Sequence, residues 1–147
     1  MISIRPISTS DFESWSILYS AYAEFYQANQ TEEMRKQVWS WLHNPNHEVK
    51  GFIAVNNEGA AVGLAHYRSF ARPLSATVGG FLDDLFVSPS ARGSAVGKEL
   101  IEAVTKVGKQ KNWSVIRWIT AEDNYRARST YDKLANQTKW VTYDVKL

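Results

Sequence analysis

Apolar and polar positions change period several times along the 147 residues, and each change marks an element. Ile2 to Ile7 alternates, as a half-buried strand does. Phe12, Trp15, Leu18, Tyr22 and Phe25 then recur at helical spacing, with Tyr19 and Tyr26 beside the stripe and Ser10 and Glu13 offering a capping box. A second helix starts at a Thr31 cap, with Glu32 and Glu33 in its favourable first turn. Met34, Val38, Trp41 and Leu42 form its buried side, which leaves Trp39 off the stripe. Gly51 to Val55 and Ala61 to Phe70 read as strands joined by the turn Asn56-Asn57-Glu58-Gly59. Pro73 and two glycines make Ala71 to Gly80 a mobile loop. Phe81 to Val87 is apolar apart from Asp83 and Asp84, as a buried strand is, and Ser88-Pro89-Ser90 ends it. Past a small-residue segment, Val96, Leu100, Val104 and Val107, with Ile101 beside them, share one helical face. Val115 to Thr120 reads as a strand, a helix follows around Tyr131, and Lys139 to Leu147 alternates again as a final strand. The order is α/β with a mixed sheet.

Length fits a single domain over residues 1–147, and 44% hydrophobic content supplies a core for it. With 17 basic and 15 acidic residues, no global field points to nucleic acid. The chain has no cysteine, which excludes disulfides, thiolate metal sites and a cysteine acyl-enzyme. No stretch approaches 18 apolar residues and the first residues lack a signal-peptide layout, so a cytoplasmic protein without membrane contact is expected. His43 and His47 stand four apart, but Pro45 interrupts any helix between them, so no metal site is expected.

The connection Arg92-Gly93-Ser94-Ala95-Val96-Gly97-Lys98 has the chemistry of an anion site. A helix N-terminus carries amides without intrahelical partners, small residues let a phosphate approach, and Arg92 and Lys98 add charge. An ordinary strand-to-helix turn would use the same glycines. Only three residues separate Gly93 from Gly97, and Glu99 follows Lys98, so this is not the loop of a nucleotide triphosphatase.

The stretch resembles motif A of the GCN5-related N-acetyltransferases, Arg/Gln-x-x-Gly-x-Gly/Ala. Arg92, Ala95 and Gly97 take its positions, after a strand ending Leu85-Phe86-Val87 and before a helix. Ala95 stands where most members have glycine. Asn124 to Tyr131 is similar to the family's Asn-x-x-Ala-x-x-x-Tyr signature, and the likeness covers nearly the whole chain. It implies that family's fold, with two central strands splayed apart, and an acetyl-coenzyme A-dependent transfer to the primary amine of a small molecule. A polyamine or an amino acid is the implied acceptor. Acetylation of a protein lysine or N-terminus, or acyl-coenzyme A binding without turnover, are the alternatives. The resemblance further implies that Leu85, Phe86 and Val87 lie along the pantetheine arm. Residues 92–98 would take the pyrophosphate, with Asn124 and Arg128 adding contacts from the next helix.

Chemistry of that kind needs a deprotonated amine, a donor for the developing oxyanion and a proton for the departing thiolate. The Val87 amide is the candidate donor, and Tyr131 is the candidate acid by its motif position, although a core tyrosine would sit there equally well. Asp83 and Asp84 are the candidate bases, or a cation-binding pair. Strand alternation sets Asp83 with Leu85 and Val87, and Asp84 with Leu82 and Phe86. A final strand with an uncovered edge invites a second subunit, so a homodimer is expected.

Overall fold

The computed structural model describes residues 1–147. Strands β1 (Ser3–Pro6), β2 (Lys50–Val55), β3 (Ala61–Arg72), β4 (Thr77–Val87) and β5 (Ile116–Arg117) form one sheet in that order. The first four pair antiparallel, and β5 joins β4 in parallel. Helices α1 (Phe12–Phe25) and α2 (Glu32–Leu42) cover one face, while α3 (Val96–Gln110) and α4 (Tyr125–Leu134) accompany the other. The fold class is therefore the predicted α/β arrangement with a mixed sheet.

Two apolar layers sandwich the sheet because successive strand residues face opposite ways. Ala54, Val62, Ala65, Tyr67 and Leu82 pack on Val96, Leu100, Ile101 and Val104 of α3. Ile53, Leu64 and Phe86 pack on Trp15, Leu18 and Tyr19 of α1. The β2–β3 turn is as expected, with Asn56 Oδ1 accepting from the amides of Glu58 and Ala60 and Gly59 at φ 81°.

Several local expectations are corrected. Residues 71–80 are not a loop: β3 runs to Arg72, turns through Pro73–Ser75, and β4 begins at Thr77. Gly80 lies inside a strand because a Cβ there would stand 2.3 Å from the Trp113 ring. On α2, Trp39 faces inward against Phe12 and Trp15, at 5.0–5.1 Å between centroids, and Trp41 and Met34 are outside. Helical spacing admits both stripes, and the packing of α1 selects one. On α1, Phe25 is likewise exposed and Ala23 buried.

Ser10 and Glu13 do not cap α1. Asp11 closes the preceding turn, accepting from the Ser8 amide at 2.7 Å and from both Arg5 guanidinium nitrogens at 2.7 and 2.8 Å. Arg5 holds the Asp11 carboxyl down at about 2. A carboxyl lowered on folding stabilises above its unfolded value, near 3.9, and that contribution disappears as pH falls through about 2. Asp11→Asn should therefore cost about 1–2 kcal/mol at pH 7, after allowance for the half-exposed Arg5, and only a small fraction of that at pH 2. Urea unfolding at the two pH values checks this.

The largest departure is at the C-terminus. Residues 139–147 join no sheet, and Trp140, Val141, Tyr143, Val145 and Leu147 are 73–118% exposed. The strand-like alternation is present, but no edge of this chain receives it. The histidines at 43 and 47 are explained by packing: His47 stacks on Trp41 at 4.8 Å and accepts from the Val49 amide, and His43 lies against Trp39.

Candidate active site

The site begins where β4 and β5 part. They pair only at Gly80 with Ile116 and Phe81 with Arg117. Beyond this, Leu82, Asp83 and Leu85 face Trp118 and Ile119 across a cleft, with Tyr22, Tyr26 and Tyr131 closing it down to about 10 Å³, room for one water. Antiparallel pairing turns alternate amides to alternate sides. The Ser88 amide bonds Val62 O on the β3 side, so the peptide groups of Leu85 and Val87 face the cleft. Phe86 turns the other way, its ring buried against Tyr22 and its backbone toward β3.

A bulge in β4 shapes the acidic pair. Asp84 pairs with His66 and Leu82 with Tyr67, so Asp83 is the extra residue. Simple alternation therefore fails: Leu82 lies with Leu85 on the α3 side, and only Phe86 shares the α1 side with Asp84. Asp84 Oδ2 takes bonds from His66 Nδ1 and Tyr19 Oη, both at 2.8 Å. Burial acts to raise the Asp84 carboxyl, but the bonds from His66 and Tyr19 outweigh it and leave it below the usual range. Asp83 instead pairs with Arg68 Nε at 3.1 Å. Burial pushes the Asp83 carboxyl up, against the pull of Arg68.

Tyr131 packs edge-on against Trp118 at 5.4 Å and lines the same cleft as Asp83. Burial, with Tyr26 nearby, pushes its phenol up to about 12, so it keeps its proton at neutral pH.

The loop after β4 carries the anion chemistry. The amides of Gly93, Ala95, Val96, Gly97 and Lys98 find no acceptor in the chain, and Gly93 holds φ 84°, which favours glycine. Ser94 is spent on the Ala91 carbonyl. Val96 anchors α3 in the core, fully buried. A groove of about 320 Å³ opens between Ser94, Ala95 and Lys98 on one side and Thr130 and Lys133 on the other. These residues fit a pyrophosphate: free amides, two ammonium groups and no carboxylate in the lining. A Cβ on Gly97 would meet nothing nearer than Val87 Cγ2 at 3.7 Å.

Arg92 is not part of that groove. Its Nε donates to the Val87 carbonyl at 3.3 Å and its guanidinium lies over Phe25 and Phe86. Asn124 caps α4, accepting from the Ala127 amide and donating to Thr120. Arg128 ties the Glu122 carbonyl to Gln137. Sequence reasoning missed Tyr19 and Lys133. Nor does the sequence join His66 and Arg68 to the acidic pair in one network. No local motif marks that network, because its members lie 18 and 65 residues apart.

Residues 15–135 match the family model described as the acetyltransferase (GNAT) family. A D-amino-acid N-acetyltransferase, HPA3, of Saccharomyces cerevisiae is 29% identical over 97% of this chain and 89% of its own. An uncharacterised N-acetyltransferase, YhfO, of Bacillus subtilis is 30% identical over 90% and 87%. Among solved structures, a probable acetyltransferase superposes with TM-score 0.86 at 20% identity, over 99% of this chain and 97% of that one. AAC(6')-Iy in complex with a bisubstrate analogue gives 0.82 at 22%, over 100% and 99%.

Proposed function

The chain belongs to the GNAT acetyltransferase family and is an acyltransferase, and from that premise we propose that it acetylates the primary amine of a small molecule directly from acetyl-coenzyme A. The observation that carries this reading is the cleft shared by Tyr131, Asp83 and Leu85, from which β4 runs on into a loop of unpartnered amides. Acetyl-coenzyme A supplies the thioester. The amides of Gly93 and of Ala95 to Lys98 hold the pyrophosphate, Arg92 pins the loop to β4, and the Leu85 peptide holds the pantetheine arm. The Val87 amide meets the charge that develops on the acyl oxygen. As the N–C bond forms and the C–S bond breaks, Tyr131 gives its proton to sulfur, and the proton then lost from the acetylated nitrogen restores the phenol through water.

Asp84 serves as anchor for the ammonium rather than as its base. An alkylammonium lies about six units above an ordinary carboxyl, so direct transfer runs about 8 kcal/mol uphill. The lowered Asp84 carboxyl widens that gap. The amine therefore loses its proton to water, and the rate rises with pH toward the amine's own value.

Arg68 meets Asp83 through Nε alone and keeps its two terminal nitrogens for a substrate carboxylate, which favours an amino acid over a polyamine. The acetylating activity in the name of the yeast relative points the same way. Release of free thiol across D- and L-amino acids, polyamines, aminoglycosides and a lysine peptide tests the reading. Amino acids should lead. Turnover on the peptide alone would move the assignment to proteins, and binding without turnover would make the chain an acyl-coenzyme A sensor.

The same proposal includes a homodimer. Strand β5 pairs on one edge only, and the apolar tail at 139–147 has no place on its own chain. Removing residues 137–147 should convert a sedimenting dimer to a monomer; a full-length monomer at micromolar concentration would overturn it.

A further inference from the structure

His66 is 1% exposed and makes two hydrogen bonds of opposite sense. Trp15 Nε1 approaches His66 Nε2 at 2.9 Å, and an indole N–H can only donate. Nε2 is therefore the acceptor, and the ring proton sits on Nδ1, aimed at Asp84 Oδ2. Tyr19 Oη donates to the same oxygen at 2.8 Å. The two short bonds, from His66 and Tyr19, both fall on Oδ2, Tyr22 also donates toward the carboxylate, and its side chain is 20% exposed.

We infer that His66, with its tautomer fixed by Trp15, is a positioning residue that turns Asp84 Oδ2 into the protein and presents Oδ1, beside Tyr22, to the acceptor's ammonium. The inference rests on the reading of Asp84 as acceptor anchor. The wall around it is built for this. Trp15 and Tyr19 come from α1, His66 from β3 and Asp84 from the bulged strand β4, so three elements set one oxygen. The other ionisable groups facing the pair are Tyr22 on α1, Asp83 on β4 and Arg68 on β3, and Arg68 is engaged by Asp83. Rings pack around the imidazole, Tyr19 edge-on at 4.7 Å and Trp15 tilted at 5.8 Å, which prevents it from flipping. An apolar residue at 66 would leave the indole N–H without a partner and Asp84 Oδ2 with the Tyr19 hydroxyl alone to hold it. The histidine is thus not interchangeable with its apolar strand neighbours.

The test uses the full chain, acetyl-coenzyme A and the amino acid that gives the highest turnover. His66→Leu and Trp15→Phe should raise KM for the amino acid about tenfold or more, with KM for acetyl-coenzyme A unchanged. His66→Asn, which restores a donor toward Asp84, should recover most of the loss. ¹⁵N resonances of His66 should report the Nδ1–H tautomer in the wild type and a mixture in Trp15→Phe; an Nε2–H tautomer in the wild type overturns the inference without any assay. Asp84→Asn separates the two levels. If it leaves the amino-acid KM unchanged, the anchor reading itself fails. If it raises that KM while His66→Leu and Trp15→Phe, folded by circular dichroism, do not, only the positioning role fails. A uniform loss in kcat and both KM values, unrescued by asparagine, marks His66 as merely structural.

Discussion

Tyr131→Phe should lower kcat about 100-fold or more while leaving the affinity for acetyl-coenzyme A within twofold. The reasoning is one of charge. A thiolate leaves the thioester as the C–S bond breaks, and proton donation by a positioned acid is worth about 10²–10⁴ in rate. The phenol is held protonated by burial at about 12 and lines the cleft beside Leu85. Phenylalanine keeps the packing against Trp118, so the fold should be unchanged. Unchanged kcat in the variant would remove Tyr131 from the chemistry and leave it a core aromatic.

Gly97→Asp carries the second large effect and acts on binding alone. The position has room for a side chain, and an acidic residue in the first turn of α3 suits the helix dipole, so stability should hold or rise slightly. Yet the new carboxylate sits among the unpartnered amides of Ala95, Val96 and Lys98, where pyrophosphate is proposed to bind. Replacing attraction by like-charge repulsion should weaken acetyl-coenzyme A about 100-fold or more. Calorimetric titration reads the affinity and thermal unfolding the stability. A stable variant that binds normally would place the nucleotide elsewhere.

The parts of the site that were legible from the sequence are those written in contiguous residues. The β4–loop–α3 unit, its glycines, the α3 stripe from Val96 to Val104 and the β2–β3 hairpin all follow from local period and turn chemistry. What was hidden depends on one-residue irregularities or on distant partners. The bulge at Asp83 shifts the face of Leu82, and nothing in the local pattern announces it. Gly79 and Gly80 read as loop residues because a strand rarely keeps glycines, and only the approach of Phe70, Trp113 and Ile116 explains them. Arg92 reads as a phosphate ligand from its spacing, but the aromatic rings of Phe25 and Phe86 and the Val87 carbonyl hold it. The tail from Lys139 alternates like a strand, which records what the segment is suited to pair with, not that its own chain offers the edge.

The most direct measurement is a single turnover: the protein with acetyl-coenzyme A and one equivalent of an amino acid, quenched and analysed by mass spectrometry. Direct transfer predicts N-acetylated amino acid appearing one-for-one with free coenzyme A, with no acetylated protein at any time. Thiol released without acetylated amine, or an acetyl group found first on the protein, would contradict it.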